Sequence, residues 1–192
     1  MIAGAAREFS DAVMITLGTG VGSGIIIDNK IYLGCNGAAG ELGHEVIVVD
    51  GLPCACGRRG CYELYASATA LIRMTREAME LHPESKMWEI AGDLSAANGK
   101  TAFDARRAGD PAGSQVVETY VKYLAAGLVN VINIFQPEAI IIGGGISKEG
   151  DYLLDLLSDI IKRERYSRGE HQAKLLIAEL GNDAGIVGAS QL

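Results

Sequence analysis

The hydrophobic pattern of this chain changes period about a third of the way along. The first part carries short apolar runs broken by glycine, the mark of strands and turns; the later part repeats its apolar residues at helical spacing. Residues 12–17 (AVMITL) read as a buried strand, and the glycine-rich stretch 18–24 (GTGVGSG) turns the chain. Residues 25–28 and 31–33 then read as a hairpin turned at Asp28-Asn29-Lys30. A loop of small residues fills 34–43, a further strand is expected at 46–49, and 52–60 form a knuckle with Pro53 and two glycines.

Helical spacing predicts helices over 66–81 and 86–91 and a short one over 101–108. The clearest helix opens with Asp110 as N-cap and Pro111 at its first position. Its apolar residues Val117, Tyr120, Leu124, Leu128, Val131, Ile132 and Phe135 share one face, and Pro137 stops it. Residues 139–142 form a short, wholly apolar strand, as burial on both faces requires. Gly143-Gly144-Gly145 follows, then a helix over 152–165, a strand over 174–178, and Asp183 as the cap of a last helix. Hairpins followed by strand–helix alternation predict an α/β fold with a mixed sheet. No repeat, low-complexity tract or linker divides the sequence, so a single domain over 1–192 is expected.

Composition narrows the class. A chain of 192 residues with 48% hydrophobic and 21% charged positions can build a real core and is not of the disordered type. Its net charge of −7 opposes direct nucleic-acid binding, which needs a basic surface to displace condensed counterions. No apolar run reaches the roughly 18–20 residues of a membrane span, and no signal peptide is visible, so a cytoplasmic protein is expected.

The cysteines carry the sharpest chemistry. Cys54, Cys56 and Cys61 fall within eight residues, too close together to staple a domain of this size, and in a reducing compartment such clustering points to a metal. His44 precedes them by ten residues. Three thiolates and one imidazole complete a tetrahedral zinc shell, and a shell closed by four protein ligands is structural. Gly57 and Gly60 allow the turns that bring Cys61 back to the same ion. Three buried thiols and an unconnected histidine are the competing reading. Cys35 stands alone beside a strand, where packing is its expected role.

The glycine clusters fit no nucleotide-binding signature. The glycines of 18–24 recur every second residue and precede a strand, unlike G-x-G-x-x-G, and Gly99-Lys100-Thr101 lacks the earlier glycine of a Walker A motif, Leu94 standing there. The turn can still offer backbone N–H groups and the Thr19 hydroxyl to phosphate oxygens, or be an ordinary hairpin turn. Gly143–Gly145, at the carboxyl end of a buried strand, can let a flat ligand approach the backbone, or can simply be a tight strand–helix connection. Glu41 lies three residues before His44 and Glu63 two after Cys61. If a metal gathers these segments, both carboxylates approach one small region and suit a polyhydroxylated ligand; two solvated surface acids are the alternative.

With these segments placed, the sequence resembles the ROK family (repressors, open reading frames and kinases), and within it the bacterial glucokinases. The match runs through 17–24 (LGTGVGSG), 36–44 (NGAAGELGH), 54–63 (CACGRRGCYE), 142–147 (IGGGIS) and 182–189 (NDAGIVGA). The resemblance implies the larger lobe of an actin-like, ribonuclease-H-like sugar kinase with a zinc-binding loop. It implies that Gly18, Thr19 and Gly20 face the ATP phosphates and that Gly143, Gly144 and Gly145 approach the adenosine. Glu41, His44 and Glu63 would contact the sugar, with His44, Cys54, Cys56 and Cys61 on a structural zinc. It also implies glucose and Mg2+-ATP as substrates and a homodimer through this lobe. The family's D-x-G-G-T motif and its catalytic aspartate are not found, so no residue here is expected to be the general base, and the chain alone is expected to be inactive. The sugar-sensing part of a repressor from the same family is the alternative. Tyr62 and Leu64 replace the more usual Leu and Ala around Glu63, a mild change that leaves the carboxylate in place.

Overall fold

The structure, a computed structural model, describes residues 4–169 and 172–181; the expected cap at Asp183 and the 182–189 motif lie outside them. The chain forms β1 (Ala12–Leu17), β2 (Val21–Ile27), β3 (Lys30–Ile31), α1 (Glu63–Ala66), α2 (Ala68–Leu81) and α3 (Lys86–Ala91). These are followed by α4 (Thr101–Arg107), α5 (Pro111–Phe135), β4 (Ala139–Gly144), α6 (Asp151–Glu164) and β5 (Lys174–Ile177). The five strands lie in the order β3-β2-β1-β4-β5. β1, β2 and β3 pair antiparallel, whereas β4 joins β1 and β5 joins β4 in parallel, the mixed sheet expected.

Alternation along β1 sends Val13, Ile15 and Leu17 into the main core, while Ala12 and Met14 belong to a smaller cluster with Ala139 and Ile141. The main core is built on α5, whose Val117, Tyr120, Leu124 and Leu128 are fully buried. Each buried leucine there contributes roughly 1.5–3 kcal/mol. Asp110 caps α5 by accepting from Gly113 N–H at 2.7 Å, and Pro111 occupies the first turn, as expected. Gln136 closes the helix with a left-handed backbone before Pro137.

Three expectations need correction. Residues 46–49 do not form a strand: Val46 makes a single bridge to Cys61, and the N–H groups of Ile47 and Val48 both donate to Gly60 O, so a loop and not a ladder absorbs this apolar run. β2 begins at Val21, placing Gly22 and Gly24 inside a strand, and β3 is only two residues long. The helix expected over 66–81 is interrupted at Ser67, whose extended backbone and side chain cap α2 by accepting from Ala70 N–H at 3.0 Å. Among the described residues no helix is long and apolar enough to cross a membrane.

Candidate functional site

Because β1 and β4 are parallel neighbours, with Leu17 paired to Gly144, the glycine turn after β1 and the glycines after β4 emerge at the same end of the sheet. The amino end of α2 is tied there as well, Ala68 N–H donating to Gly18 O at 2.9 Å. Carboxyl ends of parallel strands are where α/β folds place ligands.

The loop bearing Glu41 and His44 is fixed to β2. The Ser23 hydroxyl donates to Gly40 O and accepts from Leu42 N–H. Residues Leu42–His44 form a 3-10 turn in which Gly43 abuts the carbonyl of Val21 so closely that any side chain would collide with it. The cysteine knuckle closes on itself through Cys54 N–H to Arg58 O at 2.9 Å and Gly57 N–H to Cys54 O at 3.0 Å. Gly60, at φ +76°, has no room for a Cβ against the Val48 carbonyl.

Together these loops bring the four expected metal ligands to one point: the ligand atoms of His44, Cys54, Cys56 and Cys61 all lie within 4.8 Å of one another. His44 Nδ1 is 3.7 Å from Cys54 Sγ, and the sulfurs of Cys56 and Cys61 are 3.6 Å apart. Ligand atoms around a tetrahedral zinc are separated by about 3.6–3.8 Å, so the donor set fits such an ion in type and, for these two pairs, in spacing. Burial, with the neighbouring sulfurs, pushes the Cys61 thiol up to about 12, whereas the Arg58 backbone donor and the adjacent thiols hold Cys56 below the usual thiol range. A dication at this point would replace the shared protons, so metal loading would release them. Cys35 is exposed and stands apart from this group, so packing does not account for it.

Glu63 stands beside the ligands. Its Oε1 is 3.7 Å from His44 Nδ1 and 3.4 Å from Cys54 Sγ, and its Oε2 abuts Gly20 in the turn after β1. Between the turn and the knuckle lies a cavity of about 510 Å³, lined among others by Thr19, Gly20, Leu52, Glu63, Ser67 and Arg73. Its size is in the range of small-molecule sites. Of the three expected sugar contacts, Glu63 lines this cavity, His44 stands behind it at 3.7 Å from the Glu63 carboxylate, and Glu41 is exposed at the start of the 3-10 turn. Glu45, the residue after His44, reaches Asn130 Nδ2 at 3.5 Å, and burial pushes its carboxyl up to about 7.

The glycines divide by role. Gly18 spends its N–H on Gly20 O at 3.0 Å, which leaves Thr19 exposed at the tip of the turn. A side chain on Gly143 would meet Met14 and Ala178, and one on Gly144, at φ +88°, would strike the Leu17 backbone; both are explained by close packing in the sheet. Gly145 faces open space. The cavity residues Ser67 and Arg73 were not expected from the sequence. A serine, a favoured N-cap residue, at the start of the helical run expected over 66–81 was the available signal for Ser67, and for Arg73 there was none.

The ROK family model matches residues 1–192. The chain belongs to the ROK family. It is 40% identical to a glucokinase of Halalkalibacterium halodurans, over 98% of this chain and 58% of that protein. It is 30% identical to the xylose repressor of Bacillus subtilis, over 98% of this chain and 45% of the repressor. The crystal structure of a ROK family glucokinase from Streptomyces griseus in complex with glucose and AMPPNP superposes with a TM-score of 0.88 at 38% identity. That match covers 97% of this chain and 61% of the glucokinase. The chain thus spans about three-fifths of the length of the kinases it resembles.

Proposed function

We propose that this chain is the sugar- and ATP-binding lobe of an ATP-dependent sugar kinase acting on glucose in the cytoplasm. The observation that carries the reading is the contact of Gly20 with Glu63, which sets a phosphate-type turn against a sugar-type carboxylate on one cavity. Support comes from glucokinase relatives at about 40% identity and from the solved relative bound to glucose and AMPPNP.

In this reading Glu41, His44 and Glu63 accept from or donate to sugar hydroxyls. Thr19 and the backbone of the turn from Gly18 to Gly20 meet the ATP phosphates, and Gly145, with Gly143 and Gly144 behind it, borders the adenosine. A zinc ion held by His44, Cys54, Cys56 and Cys61 supplies a structural brace. The 6-hydroxyl oxygen of glucose attacks the γ-phosphorus in line; the new O–P bond forms as the bond to ADP breaks, with Mg2+ neutralising phosphate charge. The hydroxyl proton passes to a general base, a role assigned to none of these residues. Catalysis rests on positioning and charge stabilisation. A homodimer through this lobe belongs to the same proposal, and a monomer mass in light scattering contradicts it.

The repressor relative supports a second reading, in which the same cavity senses a sugar without phosphorylating it. Incubating the full-length protein with Mg2+-ATP and glucose separates the two. Glucose-dependent ADP release is expected of the kinase, and sugar binding without ADP release overturns that reading in favour of the sensor.

A further inference from the structure

Glu63 opens a four-residue helix, too short to orient its own side chain. Its direction must come from neighbours. A metal at Cys61 would fix one point of the chain but leave the next residues free to swing about it. The second point is supplied by α5. Tyr62, between Cys61 and Glu63, is fully buried, and its hydroxyl donates to Leu124 O at 2.7 Å. Its ring rests on Gly127, where an added methyl group would come within 2.6 Å of Cε1. The Tyr62 N–H donates to Glu45 O at 2.8 Å, and Tyr120, one turn earlier on α5, donates to the O of Ala66, the last residue of the short helix, at 2.8 Å.

Glycine in the interior of a long helix loses helix propensity, so its presence in α5 needs a packing reason, and the Tyr62 ring supplies it. Filling the core does not require a hydroxyl here, since a wholly apolar side chain would also bury its surface. The tyrosine hydroxyl adds a directional bond, and a buried phenol is costly without one.

We infer that Tyr62, seated on Gly127 and bonded to Leu124, is a positioning residue that aims the Glu63 carboxylate between Gly20 and His44. The inference rests on the sugar-binding reading of Glu63. It makes Tyr62 and Gly127 a coupled pair whose disturbance is felt in sugar affinity and not in nucleotide affinity.

The test is calorimetric titration of glucose and of a non-hydrolysable ATP analogue into the zinc-loaded protein and four variants. Gly127→Ala should weaken glucose binding about tenfold or more, with nucleotide affinity within about twofold and the zinc content unchanged. In a Tyr62→Leu background the same Gly127→Ala change should be nearly silent, within about twofold, because the ring it collides with is gone. Tyr62→Phe, which keeps the ring and loses only the hydroxyl, should weaken glucose binding about threefold or more, and it serves if Gly127→Ala does not fold. Unchanged glucose affinity in Gly127→Ala or Tyr62→Phe, or an equal loss of nucleotide affinity, overturns the inference while leaving the sugar site standing. Wild-type protein that binds no glucose overturns the sugar site and the inference together.

Discussion

Gly20 and Glu63, far apart in sequence, meet so closely that a methyl group on Gly20 would collide with the Glu63 Oε2. The contact joins the turn after β1 to the segment carrying the last of the clustered cysteines. It puts the region where a phosphate would sit within reach of a carboxylate suited to sugar hydroxyls. Gly20→Ala should therefore push the Glu63 carboxylate aside and weaken glucose binding about tenfold, at little cost in stability because the turn is near the surface. Titration calorimetry beside a melting curve checks this, and unchanged affinity would show that the contact has no bearing on the sugar.

The metal should carry stability. Removing one ligand with Cys61→Ser, or stripping the ion with a chelator, leaves the clustered thiols without their common ion and frees the loops around His44. A loss of about 3–5 kcal/mol is expected, seen as a fall of about 10 °C or more in melting temperature. Cys35→Ser, at an exposed site away from the cluster, should change neither metal content nor melting. Equal melting of the metal-free and loaded forms would contradict the structural role.

Asp110 links two helices through one carboxylate, accepting from Gly113 N–H at 2.7 Å in α5 and from Lys86 N–H at 2.6 Å at the start of α3. Burial alone would raise its pKa, but these backbone donors outweigh it and hold the group below the usual carboxylate range. Its folded pKa is thus lower than the unfolded value of about 3.9, so its contribution is complete above that value and is lost as pH falls through the folded pKa. Asp110→Ala should cost about 1–2 kcal/mol at neutral pH and should flatten the acid limb of stability measured by urea unfolding. A variant that keeps the wild-type acid limb would refute the assignment.

Gly144 and Gly145 are adjacent but should respond differently. Gly144→Ala forces a left-handed backbone onto a side chain that also strikes Leu17, and should destabilise by about 3 kcal/mol or more. Gly145→Ala meets open space and should leave melting within about 0.5 kcal/mol, so any effect on nucleotide affinity there reports a ligand and not the fold. Similar losses of stability in both variants would remove the distinction.

Much of this architecture was legible because it is local. The apolar run of β1, broken only by Thr16, and the capped, proline-started α5 announce themselves by period and end signals, and the cluster of His44 with three cysteines by type and spacing. Residues 46–49 misled because an apolar run bound by one carbonyl, that of Gly60, looks the same in sequence as a run bound in a ladder. Ser67 and Arg73 reach the cavity only because Ala68 is tied to Gly18, a long-range bond that no window of sequence contains. Tyr62 looked like a mild replacement beside Glu63, and its weight shows only once Gly127, distant in the chain, is seen beneath its ring. Gly127 itself was a readable signal, a glycine in the middle of a long apolar helix and far from the capped first turn that holds Gly113.

The most direct test of the account is calorimetric titration of glucose into the zinc-loaded protein, repeated with Glu63→Gln. Saturable heat at one site per chain is predicted, with affinity falling about a hundredfold once the carboxylate is replaced. Absence of heat from the wild-type protein, or an equal affinity in the variant, would contradict the claim that this carboxylate, set between Gly20 and His44, holds a sugar.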